Sequence, residues 1–68
     1  MKERIDGNLS RRAQNLDQSA LVIVRLLDDW TEEWLLRRNG HEDMGLGENF
    51  GWAKQAVLTW CRAQRIPK

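Results

Sequence analysis

Apolar residues in the first half of the chain are spaced for one face of a helix. Leu9, Ala13, Leu16, Ala20, Ile23, Leu27, Trp30 and Trp34 follow one another at steps of four, three, four, three, four, three and four. A helix carries such positions along a single stripe, so the unbroken heptad seam predicts one long helix over 9–38 whose apolar edge needs a partner surface. Ala20-Leu21-Val22-Ile23-Val24 is β-branched enough to form a buried strand in isolation, but the helical period on both sides favours helix. Asn8 or Ser10 can cap the start. Asn15 followed by Gln18 offers a second start with capping-box spacing, which would leave residues 3–14 as a separate short helix.

The remaining segments punctuate that helix. Residues 1–8, closing on Asp6-Gly7-Asn8, read as a polar arm. Asn39-Gly40 signals a helix C-terminus, with Arg37 and Arg38 well placed for the macrodipole. Residues 39–51 form a Gly-rich acidic loop holding four of the five glycines, longer than the usual helix-to-helix connection. A second helix is expected over 52–64, with Ala53, Ala56, Val57, Trp60 and Ala63 on one face, followed by a tail at 65–68 where Pro67 disfavours helix in the residue before it.

The expected fold is therefore all-α, a single domain in which a long heptad helix and a shorter antiparallel helix make a helical hairpin. At 1.5 Å per residue the first helix would be roughly 45 Å long and the second about 20 Å. The short helix cannot cover the long one. The seam residues Leu9, Ala13, Leu16, Ala20, Ile23 and Leu27 are the expected oligomer interface, closing coiled-coil copies into a dimeric or tetrameric bundle.

Composition supports a folded chain in need of reinforcement. Sixty-eight residues, with 41% hydrophobic and 31% charged, describe a small folded domain at a size where one core is marginal. Cys61 is the single cysteine, which excludes an intrachain disulfide and suggests a reducing, cytoplasmic setting. The longest apolar run, Ala20 to Val24, falls far short of the roughly 20 residues of a membrane span, and no secretory signal follows Met1.

Charge is nearly balanced at +1 but unevenly spread: plus two over 1–12, minus two over 13–38, minus three over 39–51 and plus four over 52–68. The ends are basic and the middle is acidic. Lys2, Arg4, Arg11 and Arg12 at one end, with Arg62, Arg65 and Lys68 at the other, could grip phosphates if the fold brings them together. A helix-turn-helix frame does not suit a connector of this length.

Candidate chemistry is sparse. His41 with Glu42, Asp43 and Glu48 lacks the spacing of a zinc, di-iron or calcium site. Cys61 would need His41, the sole histidine, as a base to act as a nucleophile. Gly45-Leu46-Gly47 matches no phosphate-cradling pattern. Neither an enzyme nor a cofactor is expected. Asp28, Asp29, Glu32 and Glu33 place like charges one helical turn apart, which is mildly destabilising for a helix and reads either as a solvated face compensated by Arg25, Arg37, Lys54 or Arg62 or as a docking surface for a basic partner. Trp30 and Trp34 can close the hairpin against Trp52 and Trp60, and Trp34 or Trp52 could stay exposed as a partner anchor.

In size, in a heptad helix folded against a Trp-bearing short helix, and in its opposed charge patches, the chain resembles the very small helical regulators that phages and prophages encode. These include antirepressors, which bind a repressor and disable it. The resemblance implies a non-enzymatic regulatory protein that binds and modulates another protein; it carries no shared motif and no residue role, and the residues expected to engage the target, Asp28, Asp29, Glu32, Glu33, Trp34 and Trp52, come from the charge and tryptophan patterns above. The alternatives are a small nucleic-acid-binding transcriptional regulator using the basic ends, and a structural assembly component.

Overall fold

A computed structural model describes residues 2–65 and shows an α+β fold. Strand β1 (Lys2–Ile5) leads into helix α1 (Gly7–Gln14), and strands β2 (Leu21–Leu26), β3 (Glu32–Arg37) and β4 (Met44–Gly47) follow before helix α2 (Phe50–Arg65). The strands form one antiparallel sheet in the order β1-β2-β3-β4. The all-α helical hairpin and its coiled-coil seam are thereby corrected, since the 9–38 segment holds most of a short helix, two strands and a hairpin turn. The end of the chain at Ile66, Pro67 and Lys68 lies outside the described residues.

The heptad failed for a physical reason. Leu21 to Leu26 contains five apolar residues in six, and such a run satisfies a period of two as readily as one of 3.5. Val22 and Val24 point to one side and join the core, while Ile23 lies on the opposite face of the sheet. β-Branched side chains are restricted in a helix and pack well on a pleated surface. Leu9 and Ala13, four apart, do lie on a helix, but that helix ends at Gln14.

Of the polar arm expected over 1–8, Met1 lies outside the described residues, Lys2–Ile5 form β1 and Gly7 begins α1. Asp6 caps α1, its carboxylate accepting the Leu9 N–H at 3.0 Å. Ser10 then locks the helix to the sheet: it is buried, and its Oγ accepts the Val22 N–H at 2.8 Å. The supposed loop 39–51 contains β4. There Trp34 pairs with Gly47 and Leu35 with Gly45, so Leu46 is an extra residue that bulges into the core. Gly47, at φ 120°, packs where an added Cβ would come within 3.0 Å of the Trp52 Cβ, which ties the bulge to the start of α2. That helix occupies Phe50–Arg65 where the sequence predicts one over 52–64.

Both helices pack on one face of the sheet. The core joins Leu9 and Ala13 of α1, Ala53 and Val57 of α2, and Val22, Val24, Trp34, Leu36 and Leu46 of the sheet. The small residues Ala13, Ala20 and Ala53, each fully buried, allow backbones to approach closely. Among the described residues no element covers the other face, yet Ile23 and Leu35 there are only 5% exposed. Charged side chains roof them. Arg25 pairs with Glu3 at 3.1 Å and approaches Asp43 at 4.0 Å, while Arg37 pairs with Asp43 at 2.9 Å and approaches Glu3 at 3.8 Å. Long arginine stems can shield apolar surface while their heads remain in water. Ile5, on the edge strand, stays exposed.

Candidate functional site

The helix layer carries a charge distribution unlike the rest of the molecule. Arg11 and Arg12 lie on α1, and Lys54, Arg62 and Arg65 on α2; all five are exposed. Neither helix contains a single Asp or Glu, so all ten carboxylates of the chain lie in strands and connections. The five helix cations form no salt bridge among the described residues. Their exposed helical neighbours Asn8, Gln55, Thr59 and Gln64 are hydrogen-bonding but uncharged.

Packing gathers the arginines at one end. Cys61 on α2 donates its thiol to the Arg12 carbonyl at 4.0 Å, which sets the last turn of α1 beside the last turns of α2. Arg11, Arg12, Arg62 and Arg65 all belong to those turns. Arg38, just beyond β3, adds another cation, its guanidinium lying 5.2 Å from the centre of the Trp60 ring. Cation–π contact holds that side chain in place without neutralising it. The expectation that the basic residues act from two separated ends changes accordingly: Arg11, Arg12, Arg62 and Arg65 lie at one end of the helix layer, Lys54 lies nearer the start of α2, and Lys2 and Arg4 lie on β1, where Arg4 pairs with Glu32 at 2.8 Å.

The expected oligomer seam does not exist as one surface. Leu9, Ala13 and Ala20 are in the core of the single chain, Ile23 lies beneath the arginine roof on the opposite face, Leu16 and Leu27 are half-buried in connections, and no stripe joins them. The expected partner-binding set is also dispersed. Trp34 is 5% exposed and meets Phe50 edge-on, with ring centroids 5.7 Å apart, so it is a core residue. Its indole N–H has no hydrogen-bond partner among the described residues. Trp52 is 65% exposed at the start of α2. Asp28 and Asp29 occupy the β2–β3 turn, and Glu32 and Glu33 open β3 with side chains on opposite faces. Trp30, expected to close a helical hairpin, instead stands 82% exposed at the turn.

Carboxylates elsewhere are engaged locally. The Asp29 carboxylate accepts the Thr31 hydroxyl at 2.6 Å and its N–H at 3.2 Å, bonds that hold its pKa below the ordinary aspartate value. Asp17 does the same with Ser19 at 2.6 and 2.9 Å, again with a lowered pKa. Ser19 Oγ also accepts the Asn39 N–H at 3.0 Å, linking the α1–β2 connection to the β3–β4 turn. Asp43 is lowered and Arg37 raised, chiefly by their mutual hydrogen bonds. Among the described residues no grouping of three or more His, Cys, Asp or Glu side chains could hold a metal ion.

Sequence reasoning missed the acid-free helices because it divided the charge at the wrong boundaries. Once α1 is closed at Gln14, the run from Gly7 to Leu16 contains two arginines and no carboxylate, and 49–65 contains three cations and none. That signal was present in the letters and needed only the true helix limits. Comparison with protein-family models, with curated proteins and with solved structures found no match. No helix among the described residues is long and apolar enough to cross a membrane.

Proposed function

We propose that the protein binds the phosphate backbone of a nucleic-acid duplex through its helix layer. One observation carries this reading: two packed helices with five exposed cations and no carboxylate, in a chain whose ten acids all lie elsewhere. Phosphate contacts supply affinity and position without reading sequence. Arginine with Asn, Gln and Thr is the side-chain set that makes such contacts. The aromatic ring beside the arginines, Trp60, is only partly exposed and already carries the Arg38 guanidinium, and the exposed Phe50 and Trp52 lie at the opposite end of α2, which favours a duplex backbone over single strands that stack on aromatic platforms. In a cytoplasmic setting, such binding would serve a small transcriptional regulator.

Fluorescence anisotropy with a generic labelled duplex, over a salt series, tests the reading. Binding that weakens steeply with salt, and that Arg12→Glu with Arg62→Glu weakens strongly at low salt, is the expected result. No binding at low salt, or a charge-reversed variant that binds as well as the parent, would overturn it.

A second reading, a regulator that works by binding another protein, is favoured by the exposed Trp30 on an acidic hairpin. Antirepressor-type action belongs to this reading. Of the features behind that resemblance, the heptad helix is gone and the opposed charge patches remain. Homo-oligomerisation has lost its original motive, because the supposed seam does not form one surface; light scattering of the isolated chain measures it directly.

A further inference from the structure

The β2–β3 hairpin ends in a surface that the rest of the chain leaves unused. Trp30 projects there with 82% of its surface exposed. It borders a groove of about 220 Å³ lined also by Lys2, Leu26, Leu27 and Asp28. A second groove, of about 250 Å³, lies between Glu33, Trp34 and Glu48 over Gly45 and Gly47. Leu27 lines both, so the two grooves flank one apolar ridge.

Charge decides what such a ridge can accept. Asp28, Glu33 and Glu48 line the grooves and form no salt bridge among the described residues, whereas Glu32 is held by Arg4. Among the described residues Lys2 is the one cation lining either groove. An anionic ligand would be repelled, and a purely apolar one would strip water from carboxylates without replacing their partners. A cation beside an aliphatic group meets both demands: indole faces attract ammonium and guanidinium groups, carboxylates pair with them, and the ridge takes the aliphatic side chain.

We propose that the hairpin ridge is a docking site for a cationic, aliphatic peptide segment of a partner protein, with a Lys or Arg side chain against the Trp30 indole and the groove carboxylates. The site rests on the hairpin alone and is independent of duplex binding by the helix layer. α1 meets β2 at Val22, whereas Trp30 follows the far end of that strand. The test therefore omits nucleic acid, so failure of one proposal leaves the other standing.

The full chain, isotopically labelled, would be titrated by NMR with a short synthetic peptide in which Lys and Arg flank a pair of leucines. The same peptide with Glu in place of Lys and Arg is the control. Shifts centred on the Trp30 indole N–H and the amides of Leu26, Leu27 and Glu33, with no response to the acidic peptide, are expected. Trp30→Gly should weaken binding by roughly tenfold or more, the loss typical of an interface anchor, with its melting temperature unchanged or raised. Asp28→Lys with Glu33→Lys should weaken it comparably and supplies a second probe should the glycine variant fold poorly. Unchanged affinity in either folded variant, equal binding of the acidic peptide, or shifts confined to the helix layer would sink the proposal. So would ridge shifts that appear on concentrating the protein alone, which assign the surface to a second copy, or phosphatidylglycerol vesicle binding without a peptide response, which assigns it to a membrane.

Discussion

Trp30 occupies a backbone position that ordinarily belongs to glycine. Its N–H donates to the Leu27 carbonyl at 3.0 Å and the Leu27 N–H to the Thr31 carbonyl at 2.9 Å, the pattern of a tight turn closed by a residue at φ 67°. A three-residue hairpin loop needs such a left-handed residue, and an L side chain there costs about 1–2 kcal/mol. The exposed indole recovers little of that by burial. Trp30→Gly should therefore stabilise the fold, less about 0.5–1 kcal/mol for the freedom glycine gains when unfolded. The net effect is a melting temperature higher by a few degrees, on the order of 2–5 °C for a domain of this size. Trp30→Ala removes the indole but keeps the strain, so calorimetry should show no comparable gain. Ser10 is the opposite case, a small residue on which the structure depends. Ser10→Ala leaves the buried Val22 N–H without its acceptor and should cost about 1–3 kcal/mol in a urea titration, together with faster hydrogen exchange at Val22. Neither role was legible from sequence. Ser10 looks like a helix cap until its partner twelve residues away is known, and Asp-Asp-Trp-Thr carries no Gly or Asn to announce a hairpin.

Elements were legible where one period excluded the other. In α2, Ala53, Ala56, Val57 and Trp60 sit at helical spacing with polar residues between them, and alternation by twos would scatter them over both faces. In β2 the near-continuous apolar run left both periods open. The covered face and the arginine-roofed face of the sheet both accept apolar residues there, and the clean in-out alternation of a half-solvated strand is lost. β3 carries a similar run, Trp34-Leu35-Leu36, for the same reason. The connections hold themselves by short carboxylate turns, and this gives the fold an acid limit. Asp17, Asp29 and Asp43 have folded pKa values below the ordinary aspartate value of 3.8, through bonds to Ser19, Thr31 and Arg37 respectively. A depressed folded pKa means the unfolded chain binds protons first as pH falls, so the associated stability is present above pH 3.8 and is lost on descending through the folded values. The urea midpoint should stay flat from neutrality down to about pH 5 and then decline. Asp29→Asn should flatten part of that decline. A variant with the parent's full acid dependence would show that the hairpin turn does not contribute.

At the scale of the whole molecule, sign of charge is sorted by layer. The arginine-carboxylate roof on the open sheet face is internally balanced, with Arg25 and Arg37 against Glu3 and Asp43, and exposed pairs of this kind add little stability. The helix layer has no such balance, and its like charges weakly oppose the fold instead of supporting it. That asymmetry predicts the salt response of binding. If each of the five helix cations neutralises one phosphate, the logarithm of the binding constant should fall against the logarithm of salt concentration with a slope of about −4 to −5 on a B-form duplex. Arg12→Glu with Arg62→Glu removes two of those contacts and should bring the slope to about −3 or shallower. Neither arginine has a carboxylate partner among the described residues, but a Glu in the last turn of a helix opposes its dipole, so the pair should lower the melting temperature by a few degrees. Asp28→Lys with Glu33→Lys changes the net charge as much, in the opposite sense, but at the hairpin. If overall charge alone governed binding, that variant would steepen the slope as strongly as the arginine pair flattens it. A local interface on the helices predicts a much smaller change, and comparing the two slopes separates an addressed surface from simple electrostatic attraction.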